Sequence, residues 1–215
     1  MPMRGRLAMA ASGRSLRVHS GLVTTPLRGA FLAGALALTF AVQLPAHAET
    51  YSHTDARHDV EKAPQSTRAP RYREADVTHL QIVHDDTAVR FNIRLRSAAL
   101  KGVQFRTVGY TLKTSGHHYS GAFIKNHDRS VQYILFDDTE GQEIDLTCDE
   151  SSGRNGSTVW LRIDRSCLGM PRWIRASISV GTVLGSNNSR GDNALSNRWR
   201  HSDDKIFSPR VHSTR

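Results

Sequence analysis

The sequence lacks the patterns that mark most enzyme classes. It holds no Gly-x-Ser-x-Gly, no His-Glu-x-x-His and no EF-hand spacing, which removes the usual signatures of serine hydrolases, zinc peptidases and calcium sensors. Its two cysteines, Cys148 and Cys167, stand 19 residues apart. That is no Cys-x-x-Cys redox pair, and once the two are joined no thiol is left as a nucleophile. No stretch sustains a 3.6-residue apolar period, so a helix-layered α/β enzyme is excluded. There is no internal repeat and no long low-complexity tract. The apolar run from Ala30 to Val42 is 13 residues, too short to span a bilayer comfortably.

The first 48 residues also lack acids. Arg4, Arg6, Arg14, Arg17 and Arg28 precede or flank that apolar run, which ends in Leu-Pro-Ala-His-Ala48. This is the pattern of a secretory signal over residues 1–48, with cleavage before Glu49 and with Met3 and Met9 as alternative starts. No Arg-Arg pair, no lipid-accepting cysteine after the cleavage site and no apolar tail is present, so the expected product is a released extracellular chain with no membrane attachment. The signal also accounts for part of the positive charge. Five of the 29 Lys and Arg residues lie in it and none of the 20 acids does, which leaves 24 against 20, a net charge of +4. A nucleic-acid partner, which calls for a concentrated basic face, is not expected. In an oxidising compartment Cys148 and Cys167 are expected to form a structural disulfide, closing a loop for which chain-entropy arguments give roughly 3 kcal/mol.

What the chain does have is period-two alternation. Val89, Phe91, Ile93 and Leu95 alternate with Arg90, Asn92, Arg94 and Arg96, the clearest half-buried strand. Leu80 and Ile82, then Val108, Tyr110 and Leu112, and further on Ile174, Ala176, Ile178 and Val180 repeat the pattern, with shorter strands over Tyr119–Lys125 and Val131–Phe136. Ile144, Leu146 and Cys148, then Val159, Leu161 and Ile163, read as a hairpin stapled by the cysteines, with Ser151 to Ser157 as its turn. About eight short strands predict one all-β domain, an antiparallel β-sandwich of jelly-roll or immunoglobulin-like plan with one disulfide. Its expected limits are residues 74–181, after an extended arm over 49–73 and before an irregular basic tail over 182–215.

These residues carry a resemblance. Asp55-Ala-Arg-His-Asp59-Val60, followed by Asp76-Val77-Thr78 opening a strand, resembles the family 9 carbohydrate-binding modules and the DOMON-type domains, β-sandwiches that bind sugar or haem. The segment Arg162 to Arg175 is similar to uncharacterised secreted bacterial proteins of the same plan. In the sugar-binding modules the early acidic turn often contains Gly-Asp and helps hold calcium; His58 stands where that glycine would be.

No cofactor is named by the sequence; the cation it leaves room for is calcium, on Asp55, Asp59 and Asp76. Asp137, Asp138, Glu140 and Glu143 form a second acidic turn, read as a solvated hairpin tip, while His117, His118 and His127 are read as exposed polar groups. Trp160 and Trp173 fall on the strand faces opposite the core, beside Arg162 and Arg175. Left exposed they would make a platform for sugar rings or a protein partner; the simpler reading is that the arm or tail, Trp199 included, covers them. The expectation is a secreted, monomeric, non-catalytic module binding an extracellular glycan or protein. A small hydrolase using a carboxylate pair and a purely structural envelope protein are the alternatives.

Overall fold

The computed structural model describes residues 48–63, 67–144, 148, 150–185, 188–196 and 205–213. The export signal, apart from Ala48, lies outside them, as do Leu146 and Trp199. The described residues form antiparallel strands: β1 (Glu49–Thr54), β2 (Glu61–Ala63), β3 (Thr67–Arg68), β4 (Val77–His84), β5 (Ala88–Leu95), β6 (Phe105–Lys113), β7 (His118–Asn126), β8 (Val131–Asp137), β9 (Gln142–Glu143), β10 (Glu150–Asn155), β11 (Thr158–Asp164), β12 (Trp173–Val183), β13 (Ser189–Asn193) and β14 (Val211–His212). A 3₁₀ turn, Arg165–Leu168, follows β11. Among the described residues no helix is long and apolar enough to cross a membrane.

The strands make two sheets. One runs β1-β4-β5-β11-β10; the other runs β3-β2-β13-β12-β6-β7-β8-β9, with β14 paired to the start of β12. Alternation decides which side of each sheet is dry. Leu80 and Ile82 of β4, Phe91 and Ile93 of β5, and Leu161 and Ile163 of β11 are fully buried and meet Leu112 of β6 and Ile174 and Ile178 of β12 in one apolar cluster. The Phe91 and Tyr110 rings, one from each sheet, stack with centroids 6.2 Å apart. Polar contacts also cross the gap: Tyr110 Oη donates to Glu150 Oε1 at 3.1 Å, and the Tyr133 and Ser152 hydroxyls lie 2.8 Å apart. The all-β sandwich plan expected from the sequence is therefore present, with the Cys148–Cys167 disulfide tying the chain before β10 to the 3₁₀ turn.

Three expectations need correction. The segment read as the hairpin turn is itself strand β10, and only Gly156 and Ser157 reverse the chain, with Gly156 at φ +57°. The arm supplies β1, an edge of the first sheet, and the β2-β3 edge of the second. The tail supplies β13 and β14. All these segments are polar and short, and they are strands because a neighbour's backbone is there to pair with, not because their own side chains require it.

Phe91 lies at the centre of the inter-sheet contact, so Phe91→Ala is expected to lower the unfolding free energy by about 3–5 kcal/mol in a denaturant titration.

Candidate metal centre

At one corner the chain crosses between the sheets, and the crossing is lined with acids. β1 ends at Thr54, and Asp55 N–H donates to the Thr78 carbonyl at 3.3 Å, still holding the first sheet. Six residues on, β2 pairs with β13 of the second sheet. The reversal between them is made at His58, whose φ of +70° lies in the left-handed region. Histidine is among the non-glycine residues enriched there. A glycine would adopt this backbone without strain. Its N–H donates to Asp76 Oδ2 at 3.0 Å, which fixes the turn to the start of β4.

Four carboxylates converge. Asp55, Asp59 and Asp192 each place an oxygen within 4.8 Å of the others'. Asp76 sits beside them, its Oδ2 taken by Arg96 Nη1 at 2.5 Å as well as by His58. Asp192, in β13, accepts the Val77 N–H at 2.8 Å with Oδ2. None of the four is more than 5% exposed. Yet Asp55 Oδ2, both oxygens of Asp59, Asp76 Oδ1 and Asp192 Oδ1 are buried without a hydrogen-bond partner among the described residues.

The electrostatics follow from that packing. Burial, reinforced by Asp59 and Asp55, pushes the Asp192 carboxyl up to about 9. Burial and then Asp59 push Asp55 up to about 7, and burial raises Asp59. An uncompensated buried charge costs several kcal/mol, so this corner must either take up protons or take up a cation. The donor set is oxygen only, which suits a hard cation; the four orphaned carboxylate oxygens of Asp55, Asp59 and Asp192, from a loop and a strand, fit calcium's six to eight flexible ligands, with carbonyls and water completing them.

Of the residues singled out for a cation, Asp55 and Asp59 are brought together as expected. Asp76 instead anchors the turn through His58 and Arg96. The third place belongs to Asp192, which the sequence reading missed. It sits in Gly191-Asp192, the dipeptide sought in the early turn, but 115 residues from its partner Val77.

The other candidates are dispersed. Trp160 is in β11 and Trp173 in β12, strands of different sheets, so the two indoles cannot form one platform. Trp173 is half-buried, as Trp160 is: the tail strand β14 pairs with its backbone, and the Arg210 guanidinium carbon lies 4.4 Å from the ring centroid. Arg175 donates through Nε to the Ser208 carbonyl at 3.0 Å, and Arg162 pairs with Asp164. At the second acidic turn Asp137 accepts the N–H groups of Thr139 and Glu140 and faces His117 Nδ1 at 2.7 Å. This is a hairpin tip with both Asp137 oxygens partnered. His127 lies in the turn at the far end of β7 from His117, so the three histidines do not gather.

No known protein family, curated protein or solved structure matches this chain. The geometry of the corner stands without a relative to interpret it.

Two outcomes are expected. In metal-free protein the raised carboxyls bind more protons folded than unfolded, so stability should fall as pH rises from about 4 through about 7 and on toward about 9. Thermal melts at stepped pH in EDTA read this directly, and a flat profile over that window would contradict it. Calcium at a hundredfold excess over its dissociation constant should add about 2.7 kcal/mol, or about 5–10 °C of Tm. Asp192→Asn should abolish that rise, and it should raise the metal-free Tm only above about pH 9, where it removes one of the repelling charges.

Proposed function

We propose that this chain is an exported, non-catalytic β-sandwich module that binds an extracellular glycan on the outer face of its five-stranded sheet, with calcium clamping the two sheets at the acidic corner. The disulfide supports the export part of this reading, because such bonds persist in oxidising compartments.

The observation that carries the glycan part is the setting of Trp160. Its cross-strand neighbour on the outer face is Gly153, and the indole lies so close over that residue that a Cβ there would come within 2.6 Å of the ring. The ring therefore lies across the edge strand, half-buried, where a standing rotamer would project into water. Next to it runs an open trough of about 530 Å³ lined by His79, Gln81, Asn92, Arg94, Asn155 and Thr158. Asn92 Nδ2 donates to Gln81 Oε1 at 2.9 Å, which orients both amide planes along the trough. A flat indole for the C–H face of a pyranose, beside planar amides, imidazole and guanidinium for its hydroxyls, is the chemistry sugar recognition uses. A catalytic reading draws no comparable support: of the two places where carboxylates come close, Asp55, Asp59 and Asp192 are buried with no cleft in which an acid and a base could flank a glycosidic bond, and Asp137 beside Glu140 is held by His117 and by backbone N–H groups in a hairpin tip.

Isothermal titration against a panel of soluble neutral glycans tests this. Trp160→Ala should weaken the binding glycan by roughly 30-fold, as for an anchor worth about 2 kcal/mol. Gly153→Ala, which displaces the indole without removing it, should weaken it as well. Binding unchanged in both variants would sink the proposal.

A further inference from the structure

A second cavity lies on the other side of the same edge strand, between the sheets. In β10 the residues opposite Val159 and Leu161 are Arg154 and Ser152, so both share the inward face. There β10 overhangs β7 and β8, and the gap opens into a cleft of about 620 Å³, within the range of small-molecule sites. Its apolar wall includes Phe123, Val159 and Ala98, all buried. Its polar side is one sign only. Lys101, Arg106, Lys125, Arg129 and Arg154 line it, and no acidic residue does.

Arg106 gives the cleft its fixed charge. It is 3% exposed, and its guanidinium is held by the carbonyls of Glu74, Ala98, Ser97 and Ala99 at 3.1–3.5 Å, with no carboxylate among these partners. Burial brings it down to about 10, so it stays a cation at neutral pH. Arg154 donates to the Ala98 carbonyl at 3.2 Å, and Lys125 donates to the Arg129 carbonyl. These cations are thus oriented by backbone oxygens, and none is in an ion pair among the described residues. The acids around it do not line the cleft: Glu74 is felt by Arg106 only as a charge, the Asp128 carboxylate is turned onto Ser130 in the β7–β8 turn, and Glu150, two residues before Ser152 on the inward face of β10, accepts from Tyr110 Oη. The carbonyls take up the Arg106 donors, so this buried guanidinium gives the cleft a fixed positive field, and Lys101 and Arg154, at exposed positions beside an apolar wall, are the groups that can turn donors onto an anion.

We infer that the inter-sheet cleft binds an acidic sugar, a uronic acid or a sugar phosphate, with its anionic group on Arg154 and Lys101, in the field of Arg106, and its ring against Phe123. The site is independent of Trp160 and stands or falls apart from the outer-face reading.

The test uses the exported chain Glu49–Arg215, as expected once the signal is removed, titrated with glucuronate, glucose 6-phosphate, glucose and inorganic phosphate. One or both acidic sugars should bind, glucose should not, and affinity should fall as ionic strength rises. Inorganic phosphate alone should bind more weakly, since it leaves the apolar wall unused. Lys101→Gln and Arg154→Gln, both at exposed positions, should each weaken the acidic sugar by about tenfold with the melting temperature unchanged. Ser152→Glu, which supplies the missing negative charge from within, should abolish binding, while Trp160→Ala should leave it intact. Equal binding of glucose, no binding by any acidic sugar, or affinity unmoved in the Lys101 and Arg154 variants would overturn the proposal.

Discussion

The constraint on which the structure turns is the mutual repulsion of Asp55, Asp59 and Asp192 in a corner that water does not reach. These residues belong to the crossing from β1 to β2 and to β13, so the place where the sheets are joined is also where like charges are forced together. A corner of this kind is closed only when something neutralises it. Protons do so up to about neutral pH, and a divalent ion would do so wherever the carboxyls are free to bind it. The turn is otherwise well prepared: His58 accepts an unfavourable backbone, and Asp76 is pinned by Arg96 and by the His58 N–H. Such preparation costs stability in the metal-free fold, and ligation would return it.

The short segment from Arg96 to Ala99 connects this corner with the cationic cleft. Arg96 holds Asp76 on one side, while the carbonyls of Ser97, Ala98 and Ala99 hold Arg106 on the other. Opposite charges are thereby segregated to two addresses a few residues apart in sequence. The sandwich keeps them apart by using backbone carbonyls, not carboxylates, as partners for the buried Arg106. Each address is left with an unmet demand of its own sign, which is the state a ligand site requires.

How much of this was legible in the sequence depends on which residues carry the information. Strands with one dry face announce themselves, as Val89, Phe91, Ile93 and Leu95 do, because burial imposes the alternation. β10 does not: Glu150-Ser-Ser-Gly-Arg-Asn155 has the composition of a turn, and it is a strand because β11 offers a paired edge. The same holds for β13 and β14. Asp55 and Asp59 were readable as a cation loop because they are close in sequence. Asp192 was not, since its place beside them is set by the pairing of β13 with β2, a contact between distant parts of the chain. Trp160 and Trp173 could be assigned to outward faces from local alternation, but whether two outward faces are one surface depends on sheet order, which no local pattern states.

The order of strands in the larger sheet has one more effect. It ends at one side in β3 and at the other in β9, each of two residues. An extended segment from a neighbouring molecule, approaching either border, finds only a couple of backbone donors and acceptors to grip. Among the described residues the longer template at this border is the start of β8, beyond the two residues that β9 covers, so strand addition would have to begin there and not on the rim strands themselves.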